Sequence, residues 1–311
     1  MSDQGGGIAG RLAKGMCALA LALTSSVSLA APRYVVAWAG NTAEWNKKLG
    51  ATELWAGCSS EPERCMKSLD TYARAGGVSR VTLSIATAAS DPKVLADYAL
   101  RYSEASLAEP RLRAIVIDDF SSLSIHWQQS GVAIGPLLRQ VINNVKAKNP
   151  KLLFGLTLYE NEMNFAVLKD DVLPAAVRAQ VDRVGLYVHF RKNGPQYASY
   201  VPQAKRLFPN AAIMAGAYAY DRSQYMPSCA QGGKVKCTRA EELDLFETTL
   251  RIQVGLMDTG QVAGLEIGPN NFGTEQTWYG WDNPENCPLA QRQECVNTTI
   301  AMHNAVLQIL H

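Results

Sequence analysis

Eight short apolar runs, most of them separated by segments with helical periodicity, say more about the fold of this chain than any other feature. Short runs that are apolar throughout are typical of strands buried on both faces of a parallel sheet. Alternation of such strands with helices predicts right-handed crossovers between parallel neighbours. The predicted strands begin at Tyr34, Thr52, Arg80, Ala114, Leu152, Arg183, Ile213 and Gly264.

The intervening segments carry helix start and stop signals. Asp91 followed by Pro92 predicts an N-cap with proline in the first turn. Thr238 and Glu241 have the spacing of a capping box. The segment 135–150 has aliphatic residues at helical spacing and stops at a proline.

This order of elements predicts a single (β/α)8 TIM barrel over residues 31–311, a usual length for that fold. An open doubly wound parallel sheet is the alternative, because the gap between the first two strands is short for a full helix. No glycine-rich phosphate loop follows any of the strands, so the main reason to prefer a nucleotide-binding open sheet is missing.

Residues 1–30 read as a secretory signal peptide rather than as part of the fold. Arg11 and Lys14 precede an apolar stretch that closes on Ser28, Leu29 and Ala30, which predicts cleavage after Ala30. The stretch is too short for a confident membrane span, although an uncleaved amphipathic anchor is the alternative. We therefore expect a secreted or periplasmic protein that has no membrane contact after cleavage.

The cysteines support export. Cys17 leaves with the signal peptide, and the other six form three close pairs that flank polar stretches: Cys58 with Cys65, Cys229 with Cys237, and Cys287 with Cys295. Nearest-neighbour disulfides are the prediction, since exported proteins meet an oxidising compartment. Zinc is the alternative, but no CxxC spacing occurs and the chain has only four histidines.

Net charge and motifs give no sign of a macromolecular partner or a cofactor. The formal net charge is +2, and no basic cluster points to nucleic acid or a membrane surface. We expect a monomer that acts without a cofactor or a resident metal.

The fourth predicted strand ends in two adjacent carboxylates, Asp118 and Asp119. Active sites of barrels lie at the carboxyl ends of the strands, and ionised groups there are costly unless they are paired, hydrated or used. Neighbouring strand residues point to opposite faces. Asp118 shares a face with the smaller residues Ala114 and Val116, which slightly favours Asp118 as the residue that faces the cavity.

The other strand ends add carboxylates and aromatic rings. Sugars stack on aromatic rings, and glycosidic cleavage uses one carboxylic acid and one carboxylate. The catalytic candidates are Asp118, Asp119, Glu160 and Glu266. The candidates for substrate binding are Trp38, Trp55, Tyr159, Tyr187, His189, Tyr218, Asp221, Trp278 and Trp281.

With "IVIDDF" and "GLEIGPN" at two strand ends, the mature chain resembles the superfamily of (β/α)8-barrel glycoside hydrolases. The resemblance lies in strand order and implies a hydrolase of glycosidic bonds. The alpha-amylase clan places Asp, Glu and Asp after strands four, five and seven, where this chain has Asp118 or Asp119, Glu160 and Asp221. The surrounding motifs of that clan are absent, so the resemblance stops at the superfamily.

Each candidate also has a structural interpretation. The two aspartates could instead cap a helix or form an ion pair with an arginine. His189 could be a buried histidine whose ring nitrogens are hydrogen-bonded. Glu266 fits a buried partner of Arg183 or Arg80, and Asp221 fits an ion pair with Arg222. Glu160 falls on the outward face of its strand, and the tryptophans at 38 and 55 fit core positions.

Two other functions remain open at this point. One is a hydrolase that depends on a divalent metal held by the carboxylates and His189, although the chain has few histidines. The other is a carbohydrate-binding protein on a degenerate barrel that has kept its aromatic residues and lost its chemistry.

Overall fold

The computed structural model describes residues 33–39, 41–58, 61–86, 91–223, 229, 235–268 and 289–311. The predicted signal peptide, Cys287, Trp278 and Trp281 lie outside these residues. Eight parallel strands close into a barrel in sequence order, with β1 paired to β8. The (β/α)8 barrel is thereby confirmed, and closure rules out the open sheet.

The strands are short and evenly distributed. They are β1 Val35–Trp38, β2 Ala51–Gly57, β3 Arg80–Ala86, β4 Leu112–Ile117, β5 Leu153–Tyr159, β6 Arg183–Tyr187, β7 Ala212–Tyr218 and β8 Gly264–Gly268. The helices of the outer ring are α1 Ala43–Leu49, α2 Pro62–Gly76, α3 Pro92–Ala108, α4 Phe120–Gln129, α5 Ile134–Lys148, α6 Ala175–Arg178, α7 Tyr197–Leu207, α8 Arg239–Asp258 and α9 Arg292–Leu310.

The short connection between β1 and β2 contains a complete helix, α1. Thr42 accepts a hydrogen bond from the Trp45 N–H at its start, and Gly50 ends it at φ 67°. Only glycine adopts this left-handed conformation at low cost. A helix of two turns therefore fits where the sequence alone left room for doubt.

The predicted helix signals are confirmed at three places. Asp91 accepts from the Lys93 N–H at the start of α3, and Thr238 forms a capping box with Glu241 at the start of α8. Helix α5 ends immediately before Asn149 and Pro150. These local signals act within one turn of the chain, which is why they were readable from the sequence.

The main hydrophobic core lies between the sheet and the helices, and smaller clusters fill the barrel. Glycines on the inner face of the strands leave room for large side chains. A Cβ on Gly216 would lie 2.3 Å from the Tyr187 ring, and one on Gly268 would lie 2.8 Å from the Trp38 ring. Small residues on β7 and β8 thus make space for aromatic rings from β6 and β1.

Two predicted disulfides are confirmed, Cys58–Cys65 and Cys229–Cys237. These four thiols are therefore not zinc ligands. Cys295 is disulfide-bonded as well, and its predicted partner is one of the residues that the structure does not describe. Within the described ranges, no helix has the length and apolar character needed to cross a membrane.

The glycine at 216 gives a test of the interior packing. We expect Gly216→Ala to lower the free energy of unfolding by about 1–3 kcal/mol, because its methyl group would overlap the buried Tyr187 ring. The measurement is urea unfolding followed by circular dichroism.

Gly255→Ala is the matched control. Gly255 lies exposed within α8 and has nothing within 4 Å of an added Cβ, so alanine should raise stability by about 0.5–1 kcal/mol. Equal effects of the two substitutions would contradict the packing described.

Candidate active site

Asp118 and Asp119 lie at the carboxyl end of β4, where the barrel opens. Asp118 is half-buried, and its Oδ1 accepts the Asp119 N–H at 3.1 Å. Asp119 is exposed and has φ 47°, the one positive value among the non-glycine residues that the structure describes. A non-glycine residue in this region stores strain, and such strain is concentrated at functional sites.

The sequence allowed these aspartates to be helix caps, and the structure does not support that interpretation. Asp119 occupies the N-cap position of α4, but its side chain makes no capping hydrogen bond. Its Oδ1 instead accepts from the Tyr159 hydroxyl at 2.8 Å. The carboxylate is directed toward the ring of tyrosines at the barrel mouth.

The environment of Asp118 favours its protonated form. Burial first, and then the charge of Asp119, raises the pKa of Asp118 to about 7. Hydrogen bonds from Thr157 and from the Asp119 N–H oppose this rise without cancelling it. The pair therefore combines a half-buried acid with an exposed neighbour, an arrangement typical of acid catalysis near neutral pH.

Five aromatic side chains form what we call the aromatic floor: Trp38, Trp55, Tyr159, Tyr187 and Tyr218. Trp38 and Trp55 stack with ring centroids 4.8 Å apart, and Tyr187 lies 4.8 Å from Tyr218. All five were predicted to bind substrate, and the structure brings them together beside Asp119. Trp38 and Tyr159 are the partly exposed members of the floor.

The tyrosine hydroxyls form a chain that ends on Asp119. The Tyr159 and Tyr218 hydroxyl oxygens are 2.7 Å apart. Because Tyr159 gives its proton to Asp119, Tyr218 donates to Tyr159. Burial raises the pKa of both tyrosines well above 10, so both keep their protons.

Glu266 points into the barrel, as the alternation of β8 predicted, but it lies among other charged side chains. Its Oε1 accepts from Arg183 Nε at 3.0 Å, and Arg183 Nη1 donates to Glu53 at 2.7 Å. We call Glu53, Arg183 and Glu266 the buried ion cluster. Glu266 is 2 % exposed, and its Oε2 accepts the Tyr187 hydroxyl at 3.0 Å.

This placement confirms the interpretation of Glu266 as a buried partner of Arg183. Both carboxylate oxygens of Glu266, the predicted catalytic residue of β8, are engaged, Oε1 with Arg183 and Oε2 with Tyr187. Glu53 completes the cluster, accepting from Thr82 Oγ1 at 2.6 Å and from the Tyr34 hydroxyl at 2.5 Å. Glu53 was not among the predicted site residues, although a lone charge inside the predicted second strand was a signal for it.

Glu160, the other glutamate predicted to be catalytic, is buried and fully hydrogen-bonded. Its carboxylate accepts the backbone N–H groups of His189 and Phe190, and the Asn193 amide donates to it at 2.9 Å. A carboxylate held by backbone groups of the loop after β6 fixes that loop. This agrees with the outward orientation that the strand pattern gave Glu160.

Glu162 is a second carboxylate that the sequence analysis did not select. It accepts from Ser122 Oγ at 3.1 Å and from the Tyr159 N–H at 3.2 Å. Burial raises the pKa of Glu162, against the effect of these hydrogen bonds. Its contacts link α4 to the end of β5, the two elements that carry Asp119 and Tyr159.

His189 and Asp221 lie at the margin of the site. The His189 ring is 5.2 Å from the Tyr159 ring, and burial together with the Arg222 charge lowers the pKa of His189 to about 4. The imidazole is therefore neutral at physiological pH. Asp221 is buried and pairs with Arg239 at 3.0 Å, rather than with the neighbouring Arg222 that the sequence suggested.

Among the described residues, no group of three or more His, Cys, Asp or Glu side chains is arranged to hold a metal ion. The charged groups of the mouth are instead engaged with hydroxyls and backbone N–H groups, as described above.

No protein-family model matches the chain, and no curated protein matches it by sequence. Three solved structures illustrate its likeness to known folds. A mutant of xylanase 10C from Cellvibrio japonicus, in complex with xylopentaose, is 15% identical, with 90% of this chain and 68% of that chain covered and a TM-score of 0.55.

A family 18 chitinase from Pseudoalteromonas aurantia is 10% identical, with coverage of 75% of this chain and 93% of that chain and a TM-score of 0.49. The chain spans 30% of the length of a Bacteroides uniformis beta-glucuronidase, at 10% identity, 76% coverage of this chain and a TM-score of 0.46. The xylanase likeness shows a shared barrel fold. It confirms the predicted barrel fold.

The raised pKa of Asp118 has a consequence for stability. An acid whose pKa is about 7 when folded and about 3.8 when unfolded binds more protons in the folded state between these values. Its contribution to stability is therefore complete below about pH 4 and is lost as the pH rises through about 7.

Relative to Asp118→Asn, we expect the wild type to lose about 2 kcal/mol of unfolding free energy between pH 4 and pH 8, after allowance for solvent screening. Urea unfolding of both proteins at pH 4, 6 and 8 measures this difference. Because all other groups titrate in both proteins, a constant difference would show that Asp118 has an ordinary pKa.

Proposed function

We propose that this protein is an exported glycoside hydrolase in which Asp118 is the general acid and Asp119 is the second carboxylate. The observation that carries the proposal is a half-buried acid next to an exposed, strained aspartate, on an aromatic floor at the mouth of a closed barrel. Barrel active sites lie at this end of the strands. The combination of carboxylates and aromatic rings suits a sugar better than any other substrate class.

The chemistry follows from the two environments. Asp118, with its pKa raised to about 7, keeps a proton near neutral pH and gives it to the leaving glycosidic oxygen. Asp119 acts either as the nucleophile or as the base that activates water, and the Tyr159 hydroxyl fixes its orientation. The partly exposed rings of Trp38 and Tyr159 contact the C–H groups of the sugar.

Export is part of the proposal. The predicted signal peptide and the disulfides of the mature chain agree with a periplasmic or extracellular location, where disulfides persist. We also propose that the protein acts as a monomer on its glycan.

The first test is hydrolysis of a broad panel of polysaccharides and oligosaccharides by the mature protein with EDTA present. We expect turnover of one class of glycan, and a loss of about 10²–10⁴-fold in kcat for Asp118→Asn and for Asp119→Asn. Each variant is checked for native circular dichroism. Glu247→Gln, a surface change on α8 in a weak pair with Arg251, is the control and should retain full activity.

Three outcomes contradict the proposal. Turnover that requires a divalent ion indicates the metal-dependent hydrolase. Binding of a glycan without turnover indicates the carbohydrate-binding protein. If neither aspartate substitution lowers activity, the reacting groups lie elsewhere than at the end of β4.

The pH profile provides a separate test of the role of Asp118. Because the free enzyme needs this acid protonated, kcat/KM should fall above about pH 7, tenfold for each further pH unit. The measurement is kcat/KM from pH 4 to 9 on the substrate found above. A flat profile from pH 5 to 9 would exclude Asp118 as the acid.

A further inference from the structure

The position of Glu266 relative to Asp118 is set by a glycine. Thr157, which hydrogen-bonds Asp118, is paired in register with Gly185 on β6. A Cβ on Gly185 would lie 2.6 Å from Glu266 Oε2. The carboxylate of Glu266 therefore occupies the side-chain space that Gly185 leaves empty, next to the residue that contacts Asp118.

The same oxygen supports the aromatic floor from below. Glu266 Oε2 accepts the Tyr187 hydroxyl at 3.0 Å, and that hydroxyl also receives the Trp38 indole N–H at 3.4 Å. Tyr187 is 1 % exposed, and its ring packs against Tyr218. A single buried carboxylate thus connects the ion cluster to two rings of the floor.

The buried ion cluster has an excess of negative charge. Arg183 brings one positive charge, while Glu53 and Glu266 each bring a carboxylate. Their charges raise the pKa of Arg183, against the effect of burial, so the guanidinium stays charged. Burial alone raises the pKa of Glu53, but Arg183 and the hydrogen bonds from Thr82 and Tyr34 outweigh it and lower that pKa overall.

We propose that Glu266 is a positioning residue of the active site, which holds Tyr187 in place and keeps a negative charge next to Thr157, the neighbour of Asp118. This inference rests on the proposed function, in which Asp118 is the acid. Glu266 does not touch the substrate and acts through Tyr187 and Asp118.

Other charged or titratable groups also face Asp118. Asp119 raises the pKa of Asp118 more than Glu266 does, but it belongs to the reacting pair itself. The tyrosines keep their protons because burial raises their pKa values, so they contribute dipoles rather than charge. The charged or titratable groups around Asp118 are Asp119 on α4, Tyr159 on β5, Arg183 and Tyr187 on β6, Tyr218 on β7 and Glu266 on β8.

Glu53 provides a matched control within the same cluster. It has the same charge as Glu266 and pairs with the same arginine. Through Thr82 it lies beside Ala114. Ala114 precedes Asp118 by four residues, about 13 Å along β4. Glu53→Gln and Glu266→Gln therefore make the same chemical change at different distances from the acid.

The test follows the titration of the aspartate carboxyls by ¹³C NMR in the mature protein, with the Asp118 signal assigned by its absence in Asp118→Asn. We expect Glu266→Gln to lower the Asp118 midpoint by about half a pH unit. Glu53→Gln should leave that midpoint within about 0.2 unit of wild type, because the change lies farther away. This readout needs no substrate, so it separates this inference from the proposed function, which fails if no glycan is hydrolysed.

Tyr187→Phe keeps the inference testable if Glu266→Gln does not fold. It retains the ring but removes the hydroxyl that donates to Glu266, which leaves more of the carboxylate charge to act on Asp118. We expect a rise of a few tenths of a unit in the Asp118 midpoint, opposite in sign to the effect of Glu266→Gln. An unchanged midpoint in Tyr187→Phe or in a folded Glu266→Gln, or equal shifts for Glu53→Gln and Glu266→Gln, overturns the proposal.

Where hydrolysis is found, the same variants are measured as pH profiles of kcat/KM. The decline on the alkaline side should move to lower pH in Glu266→Gln and stay in place in Glu53→Gln. A purely structural role for Glu266 would lower activity equally at every pH.

Discussion

Closure of the barrel is the constraint on which the rest of this structure depends. When β1 pairs with β8, alternate residues of all eight strands enter one interior that has to be filled. Rings from β1 and β6 fill much of it, and glycines on β6, β7 and β8 give them and Glu266 room. The positions of the large side chains are therefore fixed by their small neighbours across the sheet, since interiors pack at high density.

The interior of this barrel is not wholly apolar, and its polar groups satisfy one another. Arg183 forms ion pairs with Glu53 and Glu266, and the hydroxyls of Tyr34 and Tyr187 donate to the other oxygen of each carboxylate. Thr82 donates to the same Glu53 oxygen as Arg183. Buried charges are tolerated only with such partners, because removal from water is costly. Through Glu266 the cluster holds the Tyr187 hydroxyl, and the Tyr187 ring packs against Tyr218. The buried ion pairs therefore help to set the positions of rings in the aromatic floor.

The two aspartates at the end of β4 illustrate how adjacent identical residues acquire different properties. Asp118 follows the alternation of its strand into the cavity, where burial outweighs its hydrogen bonds. The chain then turns into α4 through Asp119 at φ 47°, which leaves this carboxylate exposed and hydrogen-bonded to Tyr159. The turn therefore gives two adjacent aspartates different environments, with Asp118 half-buried and Asp119 exposed.

The sequence by itself determined the eight strands, the helix caps at Asp91 and Thr238, two disulfide pairs and the inward orientation of Glu266, and it slightly favoured Asp118 over Asp119 as the residue that faces the cavity. Each of these depends on neighbours within a few residues or on strand alternation, which the chain encodes locally. Only the tertiary structure decided that Glu266 pairs with Arg183, 83 residues away, and that Glu160 holds a loop. The physical reason is that the partner of a buried charge is chosen by barrel closure and packing, which bring distant residues together in ways that no local pattern records.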